Sequence, residues 1–260
     1  LAVPPRDLIL AIETSNPSAW TPECRSRPGV ALGMLEGGPA GLASPGERVL
    51  GGVLGVEPIR LDDPQHDDLQ SAIARLFERC GATPERLARV AVSVGPGGYT
   101  ALRVAVVATK MMSLATGAHC VPVPSAHVAA RRAMSIPAAL ATLSSGGATA
   151  KLAVCLASKG DDCFVTLFGP DAPPTAGEIL DARSMPWDEV GRLVGDRFLP
   201  ALVREEAARR GIAVEAPEFD PVACLEEGAR ANPVGADELL PIYPRIPEAI
   251  RKWRELGRGV

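Results

Sequence analysis

Large rings are scarce in this sequence: three Trp, two Tyr and five Phe make aromatics only 4% of its 260 residues. A core so short of rings is filled by Ala, Val, Leu and Ile, which suits a largely parallel sheet covered by helices. Positive charge is not in excess either. The net charge is −4 and the pI about 5.5, so nothing in the bulk charge predicts strong autonomous binding to nucleic-acid phosphates. The basic tail (Arg245, Arg251, Lys252, Arg254, Arg258) reads as a solvated helix face. No run approaches the roughly 20 apolar residues that span a bilayer. Leu1 to Asp7, with two prolines and an acid, does not resemble a signal peptide. The six cysteines, at 24, 80, 120, 155, 163 and 224, form no CxxC. They read as buried, reduced thiols of a cytoplasmic protein with no membrane partner.

What the chain does have is alternation of short apolar runs with amphipathic helices. Leu8 to Ile12 is a buried strand ending in the polar turn Glu13-Thr14-Ser15. Val30 to Leu35 returns as its hairpin partner after a long loop, and Arg48 to Leu54 is a third strand interrupted by Gly51 and Gly52. A helix is expected from Asp67 to Cys80, where Leu69, Ile73, Leu76, Phe77 and Cys80 form one stripe and Gly81 follows as the C′ residue. Then come a strand at Val90 to Val94, a tight loop Gly95 to Gly98, and a long helix Tyr99 to Thr116 closed by Gly117. A strand at Cys120 to Val123 precedes Ser125, placed to N-cap the next helix. A second hairpin pairs Leu152 to Leu156 with Cys163 to Phe168. Helices are expected at Trp187 to Val194, Pro200 to Arg210, Pro221 to Ala231 and Pro247 to Leu256. The recurring order suggests two related halves of a mixed α/β fold, with lobes at 1–124 and 125–260.

The stretch VAVSVGPGGYTALRVAVVATK, Val90 to Lys110, is the most informative. A glycine loop between a strand and a helix sets amide N–H groups at a helix N-terminus, a ready anion site. It is not a dinucleotide loop: the third glycine is missing, and no acid occurs from Gly98 to Lys151 to hold a ribose. GxxxxGK[ST] is absent, which excludes a P-loop. The loop resembles the GPGSFTGLRIG-type signature of the TsaB family. ILAIETS at Ile9 to Ser15, the His66-Asp67 helix entry with Leu69, Val121-Pro122-Val123-Pro124-Ser125, Val194-Gly195-Asp196 and Pro241-Ile242-Tyr243-Pro244-Arg245 resemble further landmarks of that family in the same order.

The resemblance implies an actin-like ATPase fold (Hsp70/sugar-kinase, RNase H-like) with two lobes, the second degraded. It implies a non-catalytic subunit that binds and activates the TsaD-type enzyme, which transfers threonylcarbamoyl to the tRNA adenosine beside the anticodon. A TsaE-type ATPase joins through the complex, tRNA is touched only indirectly, and the subunit alone is a homodimer. No cofactor is required by this subunit, with ATP or ADP at the complex interface. The residues agree with a pseudoenzyme and no metal: among His66, His119 and His127 no two are four apart, so HxxxH is missing, and no GxSxG occurs. The alternative is a divergent actin-like ATPase or small-molecule kinase, which needs a positioned carboxylate. Glu13 keeps that alternative open. The sequence departs from the family pattern at Ala157-Ser158-Lys159, where Asp-Ala-Arg is common, at Gly98 and Ala101, and in the insertion Asn16 to Pro28.

Two groups of site residues follow. Glu13, Thr14, Ser15, Gly95, Gly97 and Gly98 are the candidates for nucleotide contact, although Glu13 to Ser15 reads equally as a polar strand end. Between Ala101 and Leu114 only Arg103, Thr109, Lys110 and Ser113 break an apolar circumference. A helix on one side of a sheet needs a single apolar stripe, so the second face packs either inside the protein or against a partner. The candidate partner surface is Leu69, Ile73, Leu76, Arg103, Val104, Val107, Met111 and Leu114, in a four-helix contact. Ala105, Ala108 and Ala115 are expected to admit close approach there.

Overall fold

The computed structural model describes residues 6–15, 27–37, 48–60, 68–135, 150–170, 172–245 and 252–253. Two five-stranded sheets organise them. In the first, β1 (Leu8–Glu13) pairs antiparallel with β2 (Gly29–Gly37), which pairs antiparallel with the edge strand β3 (Arg48–Pro58). On its other side β1 runs parallel to β4 (Leu87–Gly95), and β4 to β5 (His119–Pro124). The order is β3-β2-β1-β4-β5. β1 and β4 are buried along their whole length, as strands covered on both faces must be.

Helices α1 (Leu69–Arg79) and α2 (Tyr99–Thr116) cover one face. Leu69, Ile73, Leu76 and Phe77 of α1 pack against Leu8, Leu10, Ile12, Val30 and Leu32, each such burial contributing about 1.5–3 kcal/mol. In place of a side-chain N-cap, the Asp68 carboxylate takes both Nη groups of Arg75, whose Nε donates to Glu57 of β3 at 2.8 Å. Helix α2 ends as its sequence requires, on Gly117 with a left-handed φ of 72°.

The second sheet repeats the first. β6 (Lys151–Lys159), β7 (Asp162–Phe168) and β8 (Glu178–Asp181) form the antiparallel side, and β9 (Val190–Gly195) and β10 (Val214–Glu215) the parallel side. The order β10-β9-β6-β7-β8 is that of the first sheet. The repeat is reduced: β10 has two residues, and between β8 and β9, where the first lobe has α1, stands a single 3-10 turn, Trp187–Glu189. Helix α4 (Ala201–Arg209) covers one face through Val203 and Ala207.

Two helices join the lobes. α3 (Ser125–Met134) turns Val128 into the core with Ile9, Ala91 and Val121 of the first sheet. The same helix turns Ala126, Ala129, Ala130 and Ala133 onto Leu152, Val154 and Leu156 of the second. α5 (Pro221–Arg230) follows the last strand of the second sheet yet packs on the first through Ala223, Cys224, Leu225 and Ala229.

Three sequence expectations are corrected. Trp187 to Val194 is not a helix, because after one turn the chain becomes β9, parallel to β6. Apolar spacing fits either period there; Gly191 weakens a helix, and the β-branched Val190 and Val194 favour the strand. Ser125 is not an N-cap; its Oγ lies 2.9 Å from Ser93 Oγ inside the core. A short strand, β8, stands after the Pro-rich connector where none was expected. His66, Asp67 and the 16–26 part of the insertion lie outside the described residues. So does the C-terminal helix from 247 to 256, save for 252 and 253, which are helical.

Helix α5 reaches β4 through a glycine: a Cβ at Gly228 would stand 2.3 Å from the Ala91 Cβ. Alanine and larger residues favour a helix over glycine by up to about 1 kcal/mol, but overpacking costs more. Gly228→Val is therefore expected to lower stability by about 1–3 kcal/mol, read as a reduced midpoint in urea. An unchanged or raised midpoint would show that α5 does not sit this close to β4.

Candidate functional site

The turn after β1 and the glycine loop after β4 meet, because both follow the carboxyl ends of adjacent parallel strands. Glu13 is fully buried. Its Oε1 accepts the Ser15 amide at 2.8 Å and the Ser15 hydroxyl at 2.5 Å, while Oε2 is buried without a hydrogen-bond partner. Loss of water pushes this carboxyl from its ordinary 4.5 up to about 7, against the opposing hydrogen bonds from Ser15 and helped by the charge of Asp220. Burial likewise raises the thiol of Cys224, which is held as a neutral S–H.

Gly97 has to be glycine here, since a Cβ would stand 1.8 Å from the Ser15 carbonyl oxygen. The Gly98 amide donates to that same oxygen at 2.5 Å, and Thr14 Oγ1 donates to Ala101 O at 3.3 Å. Glu13, Thr14, Ser15, Gly95, Gly97 and Gly98 are thus brought to one place. The Gly98 N–H, at the N-terminus of α2, is engaged by the protein's own carbonyl rather than open to an anion.

Helix α2 divides into two faces. Leu102, Ala105, Val106, Ala108 and Thr109 are buried. Val104, Val107, Met111 and Leu114 are exposed at 37%, 57%, 61% and 75%, and their i, i+3, i+7, i+10 spacing sets them in one stripe. The partner surface expected from α1 is corrected: Leu69, Ile73 and Leu76 belong to the protein's own core, because its single stripe is spent on the sheet. Ala105 and Ala108 face that core too; Ala115 is exposed.

Arg103 is exposed but fixed. Its guanidinium lies 3.9 Å from the Tyr99 ring centroid, a cation–π contact, and its Nε donates to the Tyr243 hydroxyl at 3.1 Å. The chain's two tyrosines, Tyr99 and Tyr243, stand 5.4 Å apart by ring centroids. The segment carrying Tyr243 spans both lobes. Leu239 is buried in the first core, the Ile242 amide donates to Val94 O at 2.7 Å, and Arg245 donates to Ala157 O and to Asp162 of the second hairpin. Arg245, which the sequence reads as part of a solvated helix face, is instead non-helical and bonded to the second hairpin; Pro241 to Arg245 otherwise figures only as a landmark of the resemblance. A cavity of about 830 Å³ opens between α3 and α5, with His127, Met134, Phe168, Glu227 and Arg230 on its walls. Among the described residues no three His, Cys, Asp or Glu side chains gather as a metal site.

This architecture is that of a two-lobed actin-like protein whose second lobe is reduced. Residues 51–169 match the family model of TsaD, tRNA N6-adenosine threonylcarbamoyltransferase. The chain is similar to a solved structure described as YeaZ from Pseudomonas aeruginosa, with a TM-score of 0.61 and 19% identity over 90% of this chain and 100% of that one. It is also similar to an uncharacterized protein with similarity to peptidase YeaZ from Pseudomonas aeruginosa, with a TM-score of 0.59 and 18% identity over 92% and 100% of the two chains. No curated protein matches the sequence. In fold the chain is TsaB-like, TsaB and YeaZ being two names for one kind of protein.

The Glu13 carboxyl gives a pH signature. With its folded pKa near 7 and its unfolded value near 4.5, the folded chain binds the extra proton between those values. Stability from this group is therefore full below about pH 4.5, falls as pH rises, and is lost above about 7. A shift of this size corresponds to roughly 3 kcal/mol. Unfolding free energies of the native chain and of Glu13→Gln, measured by denaturant from pH 4.5 to 8, should diverge by that order, the native chain losing ground. Parallel curves would mean that Glu13 is ionised and solvated.

Proposed function

We propose that this chain is a non-catalytic subunit that binds and activates a TsaD-type enzyme in threonylcarbamoyladenosine modification of tRNA. The observation that carries this is the exposed stripe Val104, Val107, Met111 and Leu114 on α2, within the segment that matches the TsaD family model. Four large apolar side chains along one straight helix face, beside a core already closed by the opposite face, are the makings of a helix-to-helix contact. A TsaD-type subunit, itself two-lobed, offers the corresponding helix in the complex, and a second copy of this chain takes that place when the subunit is alone. A TsaE-type ATPase joins through the complex, tRNA is reached through the catalytic subunit, and the setting is cytoplasmic. Among the described residues no helix is long and apolar enough to cross a membrane.

Chemistry belongs to the partner in this reading. An actin-like kinase needs a carboxylate that its substrate can reach, whereas Glu13 is sealed behind Ser15 with no exposed surface. The subunit requires no cofactor of its own, and ATP or ADP binds where the two subunits meet. Sustained ATP turnover by the purified chain alone would overturn this assignment.

The decisive experiment is co-purification with the TsaD-type protein of the same genome, using the native chain and Met111→Glu. Met111 is 61% exposed, so the substitution leaves the fold and its circular dichroism intact. An unpaired carboxylate in a dry contact costs on the order of several kcal/mol, enough to abolish both complex formation and self-association. If Met111→Glu still forms the complex at native strength, α2 is not the contact surface.

A further inference from the structure

The opposite end of the first sheet, at the amino ends of β4 and β5, gathers cations. Arg89 of β4 pairs in register with His119 of β5, Arg48 opens β3, and Arg6 precedes β1. Together with Gly117 and Pro233 these residues line a cavity of about 330 Å³ whose wall contains no Asp or Glu among the described residues. It is separate from the glycine loop: Arg89 and Gly95 are six residues apart on β4, about 20 Å at the usual rise of a strand.

Each guanidinium is anchored through Nη1. Arg6 donates to Gly117 O at 2.8 Å, at the C-terminal end of α2, and Arg48 to Arg6 O at 2.7 Å. Arg89 donates to Ala229 O at 2.9 Å, and at longer range to Gly228 O and Ala231 O, at the C-terminal end of α5. A guanidinium has five N–H donors, so one anchored arm fixes the group and leaves Arg6 and Arg48 with further donors. No Asp or Glu among the described residues lining the cavity offsets these cations, and each of the two helix C-termini supplies only about half a negative charge. Arg89 is only 8% exposed, and its pKa lies below the ordinary value through burial first and then repulsion from Arg48.

We propose that this cavity is a binding site for a small phosphate anion, held by Arg6, Arg48 and Arg89 with His119 at its rim. Planar guanidinium forks match the tetrahedral oxygens of phosphate two at a time. At this volume the cavity lies at the small end of ligand sites, which suits phosphate or diphosphate better than a whole nucleotide. The phosphoryl group comes either as the free anion or as the terminal phosphate of ADP.

The test is calorimetric titration of the full chain at low ionic strength with inorganic phosphate, diphosphate and ADP, beside Arg48→Gln, Arg6→Gln and, as a control on α4, Arg209→Gln. Hydrogen bonds between charged groups are worth about 1.5–3 kcal/mol, so Arg48→Gln is expected to weaken binding by about tenfold or more. Arg6→Gln should weaken it likewise, and Arg209→Gln should leave it unchanged. Diphosphate binding as well as ADP or better identifies the free anion as the ligand, while tighter ADP binding that remains sensitive to Arg48→Gln identifies a nucleotide's terminal phosphate. The proposal is overturned if none of the three binds the folded native chain, if ADP binds while phosphate and diphosphate do not, or if all three variants weaken binding equally.

Discussion

The packing of α3 between two sheets is the constraint on which the architecture rests. One ten-residue helix presents Val128 to the first sheet and Ala126, Ala129, Ala130 and Ala133 to the second. Alanine methyls let the second sheet approach closely without voids, as interiors packed to crystal-like density demand. Any larger residue on that face would separate Leu152 and Val154 from the helix and open the lobe junction. α5 closes the same junction from the other direction, leaving the second sheet to cover the first. Ion pairs from α3 to the second half, Arg131 with Glu226 and Arg132 with Glu218, are partly exposed and contribute little. Apolar burial does the joining.

Much of this was legible in sequence wherever punctuation and period agreed. The run from Val90 to Gly117 could be read nearly to the residue, because a glycine loop opens α2 and a single glycine ends it. The duplicated hairpins were legible as continuous apolar runs. Trp187 to Val194 was not, since its apolar residues satisfy a helical period. What makes it a strand is the parallel edge of β6, which lies more than thirty residues earlier in the chain. Sequence proximity carries no information of that kind.

The site was legible in part. Resemblance grouped Glu13, Thr14 and Ser15 with Gly95, Gly97 and Gly98, and the fold brings them into contact. Composition could not show that Ser15 turns its carbonyl onto Gly98, or that Gly97 is glycine because of Ser15 rather than because of a ligand. On the helices, the error lay in giving α1 and α2 the same assignment. α1 has one apolar stripe and buries it; α2 has apolar residues enough for two faces and buries only one. Counting stripes against available surfaces separates the two, and that count needs the sheet.

The reduced second lobe has a mechanical consequence for α2. The segment from Leu239 to Arg245 is rooted in the first core at one end and bonded to the second hairpin at the other. Between these ends Tyr243 holds Arg103, one turn into α2, and lies against Tyr99, its first residue, with the rings tilted by 39°. The first turn of α2 is thereby clamped from both lobes, beside the Gly98 to Ser15 bond that holds its N-terminus. A helix that must offer an apolar face to solvent cannot be held by that face, so its orientation has to come from its ends and its buried side. The second lobe supplies one of those end restraints through Ala157 and Asp162. A lobe stripped of most of its own helices can therefore still be required, because it fixes the axis of the helix that the first lobe exposes.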